Sequence, residues 1–162
     1  MYSLQPLVAQ IATLLSSHRE SIATAESCTG GRLASYLTSL SGASLWFKSG
    51  IIAYSEEQKS RLLGVDPALI DRYGVVSAEV ACAMARGVQK TLQSTHALST
   101  TGYAGPSGGS SGAPIGTVWI GIALGEKLFA YHLALRMPRP RLVESVCKEA
   151  LRLFIQQYKS TN

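Results

Sequence analysis

The stretch Thr24-Ala-Glu-Ser-Cys-Thr-Gly-Gly31 decides the fold, because it sits where a buried strand hands over to a helix. The strand is read from the run at 21–25. The helix is read from the apolar-periodic residues over about 31–40. Small residues and two adjacent glycines let the backbone turn sharply between them. The Ser27 hydroxyl is left at the junction, beside the amides that open the helix. Such amides are unsatisfied donors aligned with the helix dipole, and they suit a phosphate or an oxyanion. A nucleophile, an anion site and a tight turn would then coincide. The same residues also fit an ordinary strand–helix turn in which Thr29 is the N-cap.

Upstream, Leu4, Leu7, Val8, Ile11, Leu14 and Leu15 form one stripe at the helical period. Downstream, 39–44 reads as a turn and 45–54 as an aromatic, β-branched strand with Gly50 a candidate bulge. Ser55 with Gln58 three residues on makes a capping box, and the short helix it opens should stop near Gly64. Asp66-Pro67 opens another helical turn, and Ser77 starts a longer helix reaching about Gln93. A strand over 96–101 is followed by a Gly/Ser/Pro-rich loop at 102–114. Strands at 116–124 and 127–135 then meet at Gly125-Glu126, and a last helix covers about 141–158 with Val143, Val146, Cys147, Ala150, Leu151 and Phe154 inward. Alternating strands and helices with one hairpin give an α/β class, a single three-layer αβα domain with a mixed β-sheet. No shift of composition and no repeat divides the 162 residues.

The formal net charge of +5 is spread thinly, its one cluster being Arg136, Arg139 and Arg141. A nucleic-acid binder would show a denser basic face or interleaved aromatics, so no nucleic acid partner is expected. A phosphorylated small molecule suits the charge equally well. No apolar run approaches the length of a membrane span, and Met-Tyr-Ser-Leu-Gln-Pro at the start has no signal-peptide pattern. The 3 cysteines cannot all pair and the 3 histidines are scattered, so neither a metal nor a disulfide framework is expected. A cytoplasmic protein fits best, with a homodimer as the base-rate expectation.

Ser27 needs a base before it can attack anything. Lys59, one turn into the helix capped by Ser55, has a claim, because carboxyl ends of parallel strands gather ligands at one rim. If the first two strands are parallel, Ser27, Tyr54 and Lys59 meet there, and burial would lower the lysine pKa enough for a Ser–Lys pair. The alternative is a solvated helix lysine. The loop Thr101-Gly-Tyr-Ala-Gly-Pro-Ser-Gly-Gly109 offers amides to an anion or is simply a flexible surface loop; it is neither a Walker A loop nor GxGxxG. Cys28 is a rival nucleophile but should point away from Ser27 in extended backbone, while Cys82 and Cys147 read as helix-core residues.

Together these segments resemble the CinA C-terminal domain family, which includes the stand-alone nicotinamide-mononucleotide deamidases. The landmarks are Ala25-Glu-Ser-Cys-Thr-Gly-Gly31, Trp46-Phe47, Gly50, Tyr54-Ser55, Lys59, Gly64-Val65 and Gly74-Val-Val-Ser77. Gly102-x-Ala-Gly-Pro-x-Gly-Gly109 and Pro114-x-Gly-Thr-Val-Trp119 complete them, in family order, over about 5–157. The resemblance implies a metal- and cofactor-free amidohydrolase that converts nicotinamide mononucleotide to nicotinate mononucleotide and ammonia in bacterial pyridine nucleotide salvage. It places the nucleophile on Ser27 and the base on Lys59, with Tyr54 bonding the nucleophile or lining the pocket. Substrate contacts fall on Glu26, Cys28, Thr29, Gly30 and Gly31, on Thr101, Gly102, Ala104, Gly105, Gly108 and Gly109, and on Arg139. Activities of the separate N-terminal domain of longer relatives do not carry over. The chain departs from the family pattern at four places. Glu56 replaces a common Asn and Thr101 a common Ser. Met137-Pro138-Arg139 stands for Gly-Asp-Arg, and Val143 stands for a further arginine. The last two bear on phosphate recognition, and they motivate an alternative reading as a nucleotide-binding or interaction domain that has lost turnover.

Overall fold

The computed structural model describes residues 4–110 and 112–161, so Ser111 in the glycine-rich loop lies outside them. The chain begins with α1 (Gln5–His18), whose Val8, Ile11 and Leu15 are buried at helical spacing. There follow β1 (Ile22–Glu26), α2 (Arg32–Leu37), a 3-10 turn at Ala43–Leu45, and β2 (Phe47–Ile52). Next come α3 (Glu56–Leu63), α4 (Pro67–Tyr73), α5 (Ala78–Leu92) and β3 (His96–Gly102). The chain closes with β4 (Thr117–Leu124), β5 (Lys127–Ala134) and α6 (Arg139–Thr161).

The strands form one sheet in the order β2-β1-β3-β4-β5. β1 runs parallel to β2 and β3, while β4 and β5 are antiparallel additions. Every residue of β1 is buried, because helices cover both faces of the sheet. Alternate residues therefore serve different cores. Ile22, Leu98, Val118, Ile120 and Ile122 pack with α1, α2 and α6. Ala23, Ala25, Ala97 and Ala123 pack with α3 to α5. The alanines on this second face let α5 lie close. A Cβ at Gly121 would stand 2.3 Å from the Ala81 carbonyl oxygen. The result is the expected three-layer domain with a mixed sheet.

Local signals are reproduced where they are short-range. Ser55 Oγ accepts from the Gln58 amide, Asp66 from Ala68, and Ser77 from Val80. Gly64, at φ 67°, ends α3. The pairing slips between Ile22↔Phe47 and Thr24↔Gly50, so the bulge falls just before Gly50. Leu45 does not begin a strand. It sits in the 3-10 turn, 81% exposed, and β2 starts two residues later. α6 starts at Arg139 rather than 141, and Cys82 is only half-buried where a core residue was expected. No described helix is long and apolar enough to cross a membrane.

Candidate functional site

The parallel arrangement of β2, β1 and β3 brings three carboxyl ends to one rim. Ser27 follows β1, Tyr54 follows β2, and Gly102 ends β3. The expectation that a parallel first pair would bring Ser27 and Lys59 together is met in the geometry. Lys59 Nζ lies 3.0 Å from Ser27 Oγ. It also donates to the carbonyls of Ala53 at 3.1 Å and Tyr54 at 3.4 Å. Lys59 is 1% exposed, and no carboxylate pairs with it among the described residues. It is not a solvated helix lysine. Burial holds its pKa below the ordinary 10.5, although Cys28 and Glu56 pull the other way. The two carbonyls can absorb both N–H groups of a neutral amine, which leaves its lone pair for the Ser27 hydroxyl.

The turn after β1 is built differently from the expectation. Glu26, 1% exposed, folds its carboxylate back onto the start of α2. Oε2 accepts from the Gly31 amide at 3.0 Å, the Leu33 amide at 3.0 Å and the Thr29 hydroxyl at 2.6 Å. Oε1 accepts from the Ala34 amide at 2.8 Å. The Arg32 amide is bonded to the Thr29 carbonyl. Every donor that opens α2 is thus spent inside the protein. This corrects three expectations. Thr29 is not the N-cap, a position held by Gly31 at φ 90°. Nor are the opening amides of this helix free to hold an external anion. Glu26 is likewise a positioning group, not a substrate contact. The amides of Cys28 and Thr29 remain without an acceptor in any other residue among those described.

This buried cap fixes the serine turn, so its loss should be costly. Glu26→Ala would leave three amides and a hydroxyl without their acceptor, and a destabilisation of roughly 3 kcal/mol or more is expected. Denaturant unfolding of the two proteins measures it; a difference under about 1 kcal/mol would mean that water replaces the carboxylate.

Ser27 and Lys59 open into a cavity of about 290 Å³. Cys28, Tyr54, Thr101, Gly102, Ala104, Gly105 and Arg139 line it. The Thr101 hydroxyl is turned to the Val75 carbonyl at 2.9 Å, so it orders the wall without facing a ligand. Gly102 is required by close approach, since a Cβ there would meet Val118 Cγ2 at 2.6 Å. Gly108 and Gly109 do not reach the cavity; Ser107 is the last described loop residue that does. The sequence reading missed Val75, Val76, Tyr103 and Ser55, of which Val75-Val76 lie within the Gly74-Val-Val-Ser77 landmark.

The Tyr54 hydroxyl does not bond Ser27. It accepts from Arg139 Nη2 at 3.0 Å, while Arg139 Nη1 donates to the Gly105 carbonyl at 2.9 Å. Arg139 therefore ties the end of β2 and the glycine-rich loop to the first residue of α6. On the far side of this bridge is a second cavity of about 490 Å³, and Thr29, Gly30 and Gly31 lie there instead. Arg32 and Ser35, which drew no notice in the sequence, line it too. Cys28 touches both cavities, and burial pushes its thiol up to about 12, so the rival nucleophile stays protonated.

Residues 4–158 match the family model described as CinA C-terminal domain. A CinA-like protein of Flavobacterium psychrophilum is 39% identical over 147 residues, covering 91% of this chain and 35% of that protein. One from Thermosynechococcus vestitus is 50% identical over 118 residues, covering 73% and 28%. The chain thus spans about a third or less of the length of these relatives. Among solved structures, a CinA superfamily protein from Escherichia coli superposes with TM-score 0.92 at 28% identity, covering 95% of this chain and 90% of that one. One from Enterobacter cloacae gives 0.94 at 27%, covering 98% and 94%.

Proposed function

The chain belongs to the CinA C-terminal domain family, and we propose that within it this protein is a serine amidohydrolase. It acts on the carboxamide of nicotinamide mononucleotide and yields nicotinate mononucleotide and ammonia. One observation carries the reading: a buried lysine without a carboxylate partner, 3.0 Å from a serine at the mouth of a cavity.

Ser27 Oγ attacks the carboxamide carbon as neutral Lys59 accepts its proton. The carbonyl oxygen becomes an oxyanion, and the amide of Cys28, next to the nucleophile and given to no other described residue, is its donor. Lys59 returns the proton to the departing nitrogen, the C–N bond breaks, and ammonia leaves an acyl-serine. Water then adds with Lys59 as base, and the collapsing intermediate releases the carboxylic acid and restores the Ser27 hydroxyl. Arg139 would orient the substrate beside the Tyr54 ring. Such a reaction fits pyridine nucleotide salvage in the cytoplasm.

The test is ammonia release from nicotinamide mononucleotide by the purified protein. Release above the uncatalysed rate is expected. Ligand-induced thermal stabilisation without product would favour the binding-domain reading. The pH profile adds a second check. Only neutral Lys59 is a base, so kcat/KM should climb with pH and level off at a pKa below 10.5, in the direction burial dictates. A flat profile across that range would remove Lys59 from the role.

A further inference from the structure

We propose that the second cavity is the seat of a phosphomonoester, and that Arg32 is its specificity-determining cation. This rests on the amidohydrolase reading and deepens it, because it divides the substrate between two cavities. The carboxamide enters beside Ser27, and the phosphate lies across the Tyr54–Arg139 bridge.

The lining of the second cavity is chemically one-sided. Two guanidinium groups, Arg32 and Arg139, reach it from α2 and α6, and no carboxylate among the described residues lines it. Arg32 makes no side-chain hydrogen bond or ion pair among the described residues. An unspent arginine fork beside a concave surface is matched by an anion with several acceptor oxygens in one plane of approach. Ser35, one turn further along α2, adds a hydroxyl that bonds nothing else described, and the Thr29 amide adds another unspent donor. The opening amides of α2 contribute nothing, since Glu26 and Thr29 hold them.

Arg139 links the two compartments. It lines both cavities, and its bonds to Tyr54 and Gly105 leave other N–H groups of the guanidinium unspent. A substrate lying along this bridge would meet Arg139 at its middle and Arg32 at its far end. On α6, Pro140 and Val143 form an apolar wall that offers no charge. The far cation therefore comes from α2 alone. A carboxamide without an anionic end would fill only the cavity of about 290 Å³.

Steady-state ammonia release from nicotinamide mononucleotide and from its dephosphorylated riboside, for the unmutated protein, Arg32→Ala and Arg32→Lys, tests this. Arg32→Ala should raise KM for the mononucleotide about 10- to 100-fold with kcat within about twofold. It should leave the riboside unchanged, as substrate or as competitive inhibitor, and Arg32→Lys should recover part of the loss. Equal effects on both compounds, or none on the mononucleotide, overturn the assignment. Absence of turnover by the unmutated protein would count against the amidohydrolase reading alone. Thermal unfolding in millimolar inorganic phosphate then decides the site by itself. Stabilisation that Arg32→Ala removes supports it, and stabilisation equal in both proteins, or none in either, overturns it.

Discussion

Ser27→Ala is expected to abolish ammonia release from nicotinamide mononucleotide, with kcat falling roughly 10⁴-fold or more. The side chain is 7% exposed and lies against Lys59, so the deletion removes one oxygen and leaves the turn in place. The Glu26 cap does not touch the Ser27 side chain, and the Ser27 amide keeps its 3.0 Å bond to the Thr100 carbonyl. Stability should therefore change by less than about 1 kcal/mol. That separation makes the result decisive. A folded Ser27→Ala protein that still turns over would transfer the chemistry to water activated directly by Lys59, and no acyl-enzyme would form.

Lys59→Met is expected to be nearly as severe, about 10³-fold or more in kcat, and its combination with Ser27→Ala no worse than Ser27→Ala alone, because the two act as a unit. It carries an independent thermodynamic signature. The folded pKa of Lys59 is lowered from 10.5, the value of the free side chain. Between the two values the unfolded chain holds a proton that the folded chain has released, so stability rises with pH across that window. Below the folded value both states are protonated and the dependence ends. Lys59→Met should lower the slope of stability against pH in this window by up to about 1.4 kcal/mol per unit. Unfolding curves at several pH values for both proteins measure the difference. Parallel slopes would show that Lys59 is charged in the folded state and cannot accept the serine proton.

Local chemistry made much of the fold legible. Ser55 with Gln58, Gly64, Asp66-Pro67 and Ser77 each act within about one turn of chain, so spacing alone reports them. Leu45 was misread because an exposed leucine in a 3-10 turn has the composition of a strand residue. The Ser27–Lys59 pair could be anticipated from strand direction, since both follow carboxyl ends of neighbouring strands. The Glu26 cap could not. It depends on Gly31 adopting φ 90°, which swings the opening of α2 toward a carboxylate on the preceding strand. The Arg139–Tyr54 bond spans 85 residues of sequence. No periodicity encodes it, and so the division between two cavities, with Arg32 on the far one, emerges only in three dimensions.

The loop between β3 and β4 has a consequence for how such a protein can change over generations. Its feet, Gly102 and Val118, are paired neighbours in the sheet, and the antiparallel register below them continues to His96↔Leu124. Lengthening or rewriting the loop leaves that ladder untouched and adds only a slowly growing closure entropy. Ser27 and Lys59 stand on other segments, bonded to each other and to the chain just after β2. Ligand preference can therefore drift by insertion and exchange at one hairpin-like mouth while the reactive pair is inherited intact. Grafted loops of unequal length should fold on this frame and differ chiefly in which ligands they admit.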